Sequence, residues 1–172
     1  MKKTRRFVAL LLAAVLALAF FTACGAAGAE EPQSAIGKVY EDWFVEKLNS
    51  KRPADKPVQK VDVKRSDMMA ALAKIGEDGK FTAGDGYYNE VSGTEKESHH
   101  WLIISAPVAW NVLPSETVDA VPLTPKNLTK YGPGYFIDEQ QLSRIDKYDI
   151  VTRVIDGKTY AAVYVHLEKK PS

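Results

Sequence analysis

The chain has 172 residues, of which 45% are hydrophobic and 26% charged, with a formal net charge of +1 and one cysteine. So even a balance of charge offers no basic face to neutralise phosphates, which argues against nucleic acid as a partner. A single cysteine excludes an internal disulfide, so packing has to hold the fold together.

Lys2, Lys3, Arg5 and Arg6 precede an apolar run from Phe7 to Ala23 in which only Thr22 is polar. A basic flank followed by 17 apolar or small residues suits a signal-peptide core better than a spanning helix, which needs about 20 apolar residues. The run ends at Phe21-Thr22-Ala23-Cys24. These four residues resemble the lipobox of bacterial lipoproteins, with Phe21 in place of the usual leucine; the resemblance is confined to residues 1–24. It implies cleavage between Ala23 and Cys24, a diacylglyceryl thioether on Cys24, and an extracytoplasmic protein held to the cell membrane by its N-terminal lipid. Lipidation also caps a thiol that has no intramolecular partner and would otherwise be a liability outside the cytoplasm. The expected organisation is a signal peptide at 1–23, a flexible tether at 24–34, a folded domain at 35–168 and a short tail at 169–172. The leader holds four of the 23 basic residues and none of the 22 acidic ones, so the remainder is net acidic by three. That adds no polybasic attraction to lipid.

Gly25 to Ser34 is small, polar and without periodicity, as a tether requires. Ser34 is placed to cap a helix whose face carries Ile36, Val39, Tyr40, Trp43, Phe44 and Leu48 at spacings of three and four. Pro53 and Pro57 mark a loop, and Val61 and Val63 suit a short extended piece. Ser66-Asp67 is read as the cap of a second helix with Met68, Met69, Leu72 and Ile75 as its apolar face, ending before Gly76. The glycines and acids from Gly76 to Gly86 lack the spacing of a calcium loop and are read as turns.

From Tyr87 the pattern becomes β. Tyr87 to Val91, His100 to Ser105, Val108 to Leu113 and Thr117 to Val121 are short strand candidates punctuated by Pro107, Pro114 and Pro122. Thr124-Pro125 predicts a helix stopped by Gly132, and Asp138 the cap of a brief helix containing Leu142 and Ile145. Tyr148 to Ile155 and Lys158 to Leu167 flank Asp156-Gly157, which suits a type I′ hairpin. In that register Ile150, Val154, Ala161, Val163, Val165 and Leu167 share a core face, while Arg153, Tyr160, Tyr164 and His166 form a half-polar face open to solvent or ligand. The whole predicts one α+β domain: an antiparallel sheet of about five or six strands with both N-terminal helices packed on one face.

Motifs that carry chemistry are few. No nucleophile elbow, phosphate loop, S-x-x-K or H-E-x-x-H motif is present, so no catalytic residue, metal site or cofactor is assigned. His99 and His100 are adjacent and in a strand point to opposite faces. His166 meets one of them only if the terminal hairpin pairs with the strand around His100. The aromatic residues Tyr87, Tyr88, Trp101, Trp110, Tyr131, Tyr135, Tyr160 and Tyr164 crowd the β half, as a core or as a stacking platform for glycan. The resulting expectation is a lipid-anchored binding or interaction module without catalysis, its ligand candidates being Arg153, Tyr160, Tyr164 and His166 and its partner classes an envelope protein or a glycan. The alternatives are an envelope hydrolase built on a histidine and nearby carboxylates, or a structural lipoprotein of an envelope complex.

Overall fold

The structure is a computed structural model that describes residues 34–92, 97–106 and 113–169. Cys24, the leader, most of the tether, Trp110 and nearly all of the Val108–Leu113 strand candidate lie outside the described residues. Helix α1 (Ala35–Asn49) begins where the sequence places it: the Ser34 hydroxyl accepts a hydrogen bond from Gly37 N at 3.1 Å. Next come β1 (Gln59–Lys60), α2 (Arg65–Leu72), β2 (Lys80–Thr82), β3 (Tyr87–Ser92), β4 (Glu97–Ile103), β5 (Ser105–Ala106) and β6 (Thr117–Ala120). A single helical turn, α3 (Pro133–Phe136), and a 3-10 segment (Glu139–Arg144) lead into the two long strands β7 (Ile145–Ile155) and β8 (Lys158–Leu167).

The α+β class stands. Five strands form the main sheet in the order β1-β7-β8-β4-β3, antiparallel except for the short parallel contact of β1 with β7. β2, β6 and β5 form a second, smaller sheet. The β7–β8 hairpin is the spine, and it turns at Asp156 and Gly157 with φ of 48° and 70°, the positive pair that a type I′ turn demands. Its register is the expected one: Ile150 sits opposite Val163 and Arg153 opposite Tyr160.

The placement of the helices differs from expectation, and with it the role of the half-polar face. Tyr40, Phe44 and Leu48 of α1 are completely buried against Ile150, Ala161, Val163, Val165 and Leu167 on one side of the sheet. Met68 and Leu72 of α2, with Phe81 and Ala120 of the small sheet, pack on Val151, Tyr160, Ala162 and Tyr164 on the other. Successive residues of a strand point to opposite faces, so the two helices cover opposite sides and the main sheet is the middle layer. β8 is therefore buried on both faces. Each fully buried large apolar side chain contributes roughly 1.5–3 kcal/mol of transfer free energy, which favours covering both sides once aromatic residues line the second.

Three local expectations also shift. α2 starts at Arg65, with Lys64 rather than Ser66 or Asp67 in the cap position and no side-chain cap bond. Residues 125–131 form consecutive turns instead of a helix. There Asn127 Oδ1 accepts from Thr124 N at 2.8 Å and Asn127 Nδ2 donates to the Pro122 carbonyl at 2.9 Å, and such side-chain bonds compete with a helical ladder. Asp138 does cap, accepting from Gln140 N at 2.9 Å, but the turn that follows is 3-10 and Ile145 already belongs to β7.

Candidate functional site

β4 lies between β3 and β8, and its register on β8 sets His99 opposite His166 and Trp101 opposite Tyr164. The hairpin thus does pair with the histidine strand, and His99, not His100, is the residue that meets His166. Their ring centroids are 4.6 Å apart. Glu97 precedes His99 by two residues in the same strand and so shares its face. The fourth member comes from an irregularity: between Ile145 and Lys147 the β7–β8 register shifts, leaving Asp146 as the extra residue of a bulge. Bulges re-aim a side chain, and this one turns Asp146 onto the imidazole of His166.

His166 is 3% exposed and has a carboxylate at each ring nitrogen. Asp146 Oδ1 meets Nδ1, and Glu97 Oε1 lies 2.7 Å from Nε2. His99 Nδ1 lies 2.8 Å from the hydroxyl of Tyr164, itself buried in the core beneath α2. One ligand-type atom from each of Glu97, His99 and His166 falls within 4.8 Å of the others, a spacing that could hold a metal ion. The cluster is reached from the Glu97 side, whose side chain is 35% exposed, while Asp146 is 17% exposed. Lys147 Nζ stands 3.6 Å from the second oxygen of Asp146.

His100 faces the opposite side of the sheet, where its Nε2 lies 3.1 Å from the Ser98 hydroxyl. Burial lowers its pKa, and the neighbouring charge of His99 lowers it further. It takes no part in the cluster.

A second polar group sits in the same layer. Asp149, opposite Tyr164 in the register, is fully buried and receives Arg65 of α2 at both oxygens, with Nη1 at 3.1 and 3.3 Å. Its own chain contributes a further bond from Ile150 N at 2.9 Å. Burial pushes the Asp149 carboxyl up; Arg65 first and Lys60 next pull it back. This is a structural ion pair that fastens α2 to the centre of the sheet.

Of the four residues chosen from sequence, the structure brings only His166 and Tyr164 to the cluster. Tyr160 and Tyr164 are 2% and 1% exposed and belong to the core, so they offer no open contact surface. Arg153 is half-buried opposite Tyr160. Trp101 and Tyr131 are likewise buried, which removes them from any stacking platform. Glu97 and Asp146 reach the cluster without being among the site residues expected from the sequence. Glu97-x-His99 within a strand was a legible signal for a shared face. The bulge at Asp146 was not, because no glycine or proline marks it. No protein-family model, no curated protein and no solved structure matches the chain.

Proposed function

We propose that the protein is an extracytoplasmic module tethered to the cell membrane by lipid on Cys24, and that its α+β domain binds a ligand through the cluster of Glu97, His99, His166 and Asp146. The observation that carries the binding reading is the fixing of a buried His166 at both ring nitrogens. Burying that much polarity costs free energy unless each group is partnered, and here the partners converge on one point beside a half-open carboxylate. The anchor reading is supported by the basic flank, the apolar run and the lone cysteine, and by a domain whose first helix starts at Ala35, eleven residues beyond Cys24. Metabolic labelling with an alkyne fatty acid tests the anchor: wild type is labelled and Cys24→Ser is not. Equal labelling of both would refute it.

The same hydrogen bonds favour one second reading, an envelope hydrolase in which a carboxylate orients a histidine. Enclosure weighs against it, since His166 is nearly inaccessible to a substrate. Turnover of p-nitrophenyl acetate by wild type that disappears in His99→Ala would displace binding in favour of hydrolysis.

A further inference from the structure

We infer that Glu97, His99 and His166 are the ligands of a divalent transition-metal ion of the zinc class, with Asp146 and Tyr164 as the outer groups that orient the two imidazoles. The inference rests on the reading of this cluster as the domain's binding site and names the ligand class.

The donor set selects the metal. Two imidazoles and one carboxylate suit zinc and its neighbours, whereas calcium and magnesium take oxygen donors almost exclusively. Three protein ligands leave a fourth position for water or for a group presented by a partner. Topology holds the donors together. Glu97 and His99 are i and i+2 on β4, and His166 is the direct cross-strand partner of His99, so all three project from one face of two hydrogen-bonded strands. Backbone pairing, not loop conformation, sets their spacing.

The outer groups fit the same assignment. A metal-bound histidine nearly always donates its other ring N–H to a carboxylate or another oxygen, which fixes tautomer and ring orientation. Here Nδ1 of His166 faces Asp146 and Nδ1 of His99 faces the Tyr164 hydroxyl. Each imidazole thus has its Nδ1 engaged by an outer group, which leaves Nε2 as the nitrogen to meet the ion. An apolar shell of Trp101, Ile103 and the residues under α2 adjoins the cluster on the same face and keeps the local dielectric low.

Distances are compatible with small adjustments. Zinc bonds of about 2.0–2.1 Å in a tetrahedron place neighbouring donor atoms about 3.3 Å apart. Glu97 Oε1 and His166 Nε2 are 2.7 Å apart, and the three donors span no more than 4.8 Å. The first pair opens by about half an ångström and His99 closes in. Glu97 has the freedom to allow this because its side chain reaches solvent.

The test uses the full lipidated chain in detergent, stripped with a chelator and titrated with Zn2+ against a chromophoric competitor. The expected result is saturable uptake of one ion per chain. His99→Ala should weaken it by about 100-fold or more, and Asp146→Asn, which leaves all three ligands in place, by about 10- to 100-fold. Co2+ in place of Zn2+ should give visible absorption bands that His99→Ala abolishes. His99 is the position of choice because it is half-buried, whereas loss of buried His166 endangers the fold; if His99→Ala fails to give a folded circular-dichroism spectrum, Glu97→Gln serves in its place. No saturable uptake by wild type, or equal uptake by wild type and the ligand variant, overturns the inference. Either result leaves the lipid anchor to be decided separately by fatty-acid labelling of Cys24.

Discussion

Replacing Arg65 with methionine asks whether the ion pair to Asp149 holds α2 on the sheet. Asp149 is fully buried, and Arg65 Nη1 contacts both of its oxygens. At an effective dielectric of about 20, two charges about 4 Å apart attract by roughly 4 kcal/mol gross. Removing one partner of a buried pair costs about 3–5 kcal/mol, chiefly because the remaining charge is stranded. Two features lower that figure here. The Arg65 side chain is 35% exposed, so part of its charge is screened by water, and Lys60 and Ile150 N still act on the carboxylate. About 2 kcal/mol at neutral pH is the expected loss.

The pH dependence has a definite sign. Burial raises the Asp149 carboxyl above its unfolded value, and Arg65 is the largest influence opposing that rise. Deleting Arg65 raises it further. A carboxyl whose folded pKa is raised binds its proton more tightly in the native state, so its contribution is fully favourable below the unfolded pKa, near about 3.9, and is lost as pH climbs through the folded value. The deficit of Arg65→Met relative to wild type should therefore be small near pH 4 and grow toward neutrality. Urea unfolding followed by tryptophan fluorescence reads this directly: with a slope of about 2 kcal/mol per molar, the midpoint at neutral pH falls by about 1 M. Adding Asp149→Asn should restore at least half of the loss, since a neutral amide is far cheaper to bury than a carboxylate. A deficit independent of pH, or a double variant no more stable than the single one, would refute the electrostatic account and assign the effect to packing of the arginine stem.

Two further substitutions test the α1 side of the sheet. The Tyr40 hydroxyl donates to the Tyr131 carbonyl at 2.6 Å in a fully buried setting, so Tyr40→Phe should strand that carbonyl and cost about 1–3 kcal/mol in thermal or chemical unfolding; a change below about 0.5 kcal/mol would show that the bond is replaced by water. A Cβ on Gly132 would lie 2.3 Å from Trp43 Cη2, so Gly132→Ala must displace the indole and should cost about 1–3 kcal/mol, with Trp43→Leu in the same chain relieving most of the clash; an unchanged melting temperature for the single variant would contradict the close approach.

The sequence by itself settled the elements that rest on local chemistry. Ser34 and the stripe from Ile36 to Leu48 specify a capped amphipathic helix because a hydroxyl satisfies an orphan amide and a 3.6-residue period gathers apolar groups on one side. Asp156-Gly157 specifies the hairpin because those residues tolerate positive φ, and the turn then fixes which side chains of β7 and β8 share a face. Tertiary structure alone decided which face each helix covers. Tyr160, Tyr164 and His166 read as a half-polar, open face, yet α2 and the small sheet enclose the two tyrosines and His166 is buried between Asp146 and Glu97, since amphipathic residues are satisfied by burial of the ring and a partner for the polar atom. The site was likewise beyond the reach of local reading. His99 and His166 are 67 positions apart and meet through one strand register, and Asp146 joins them only because a bulge inserts one residue into the ladder. Pairing between distant strands and a bulge without glycine or proline leave no local trace in composition or periodicity, whereas each is an immediate consequence of how the sheet is assembled.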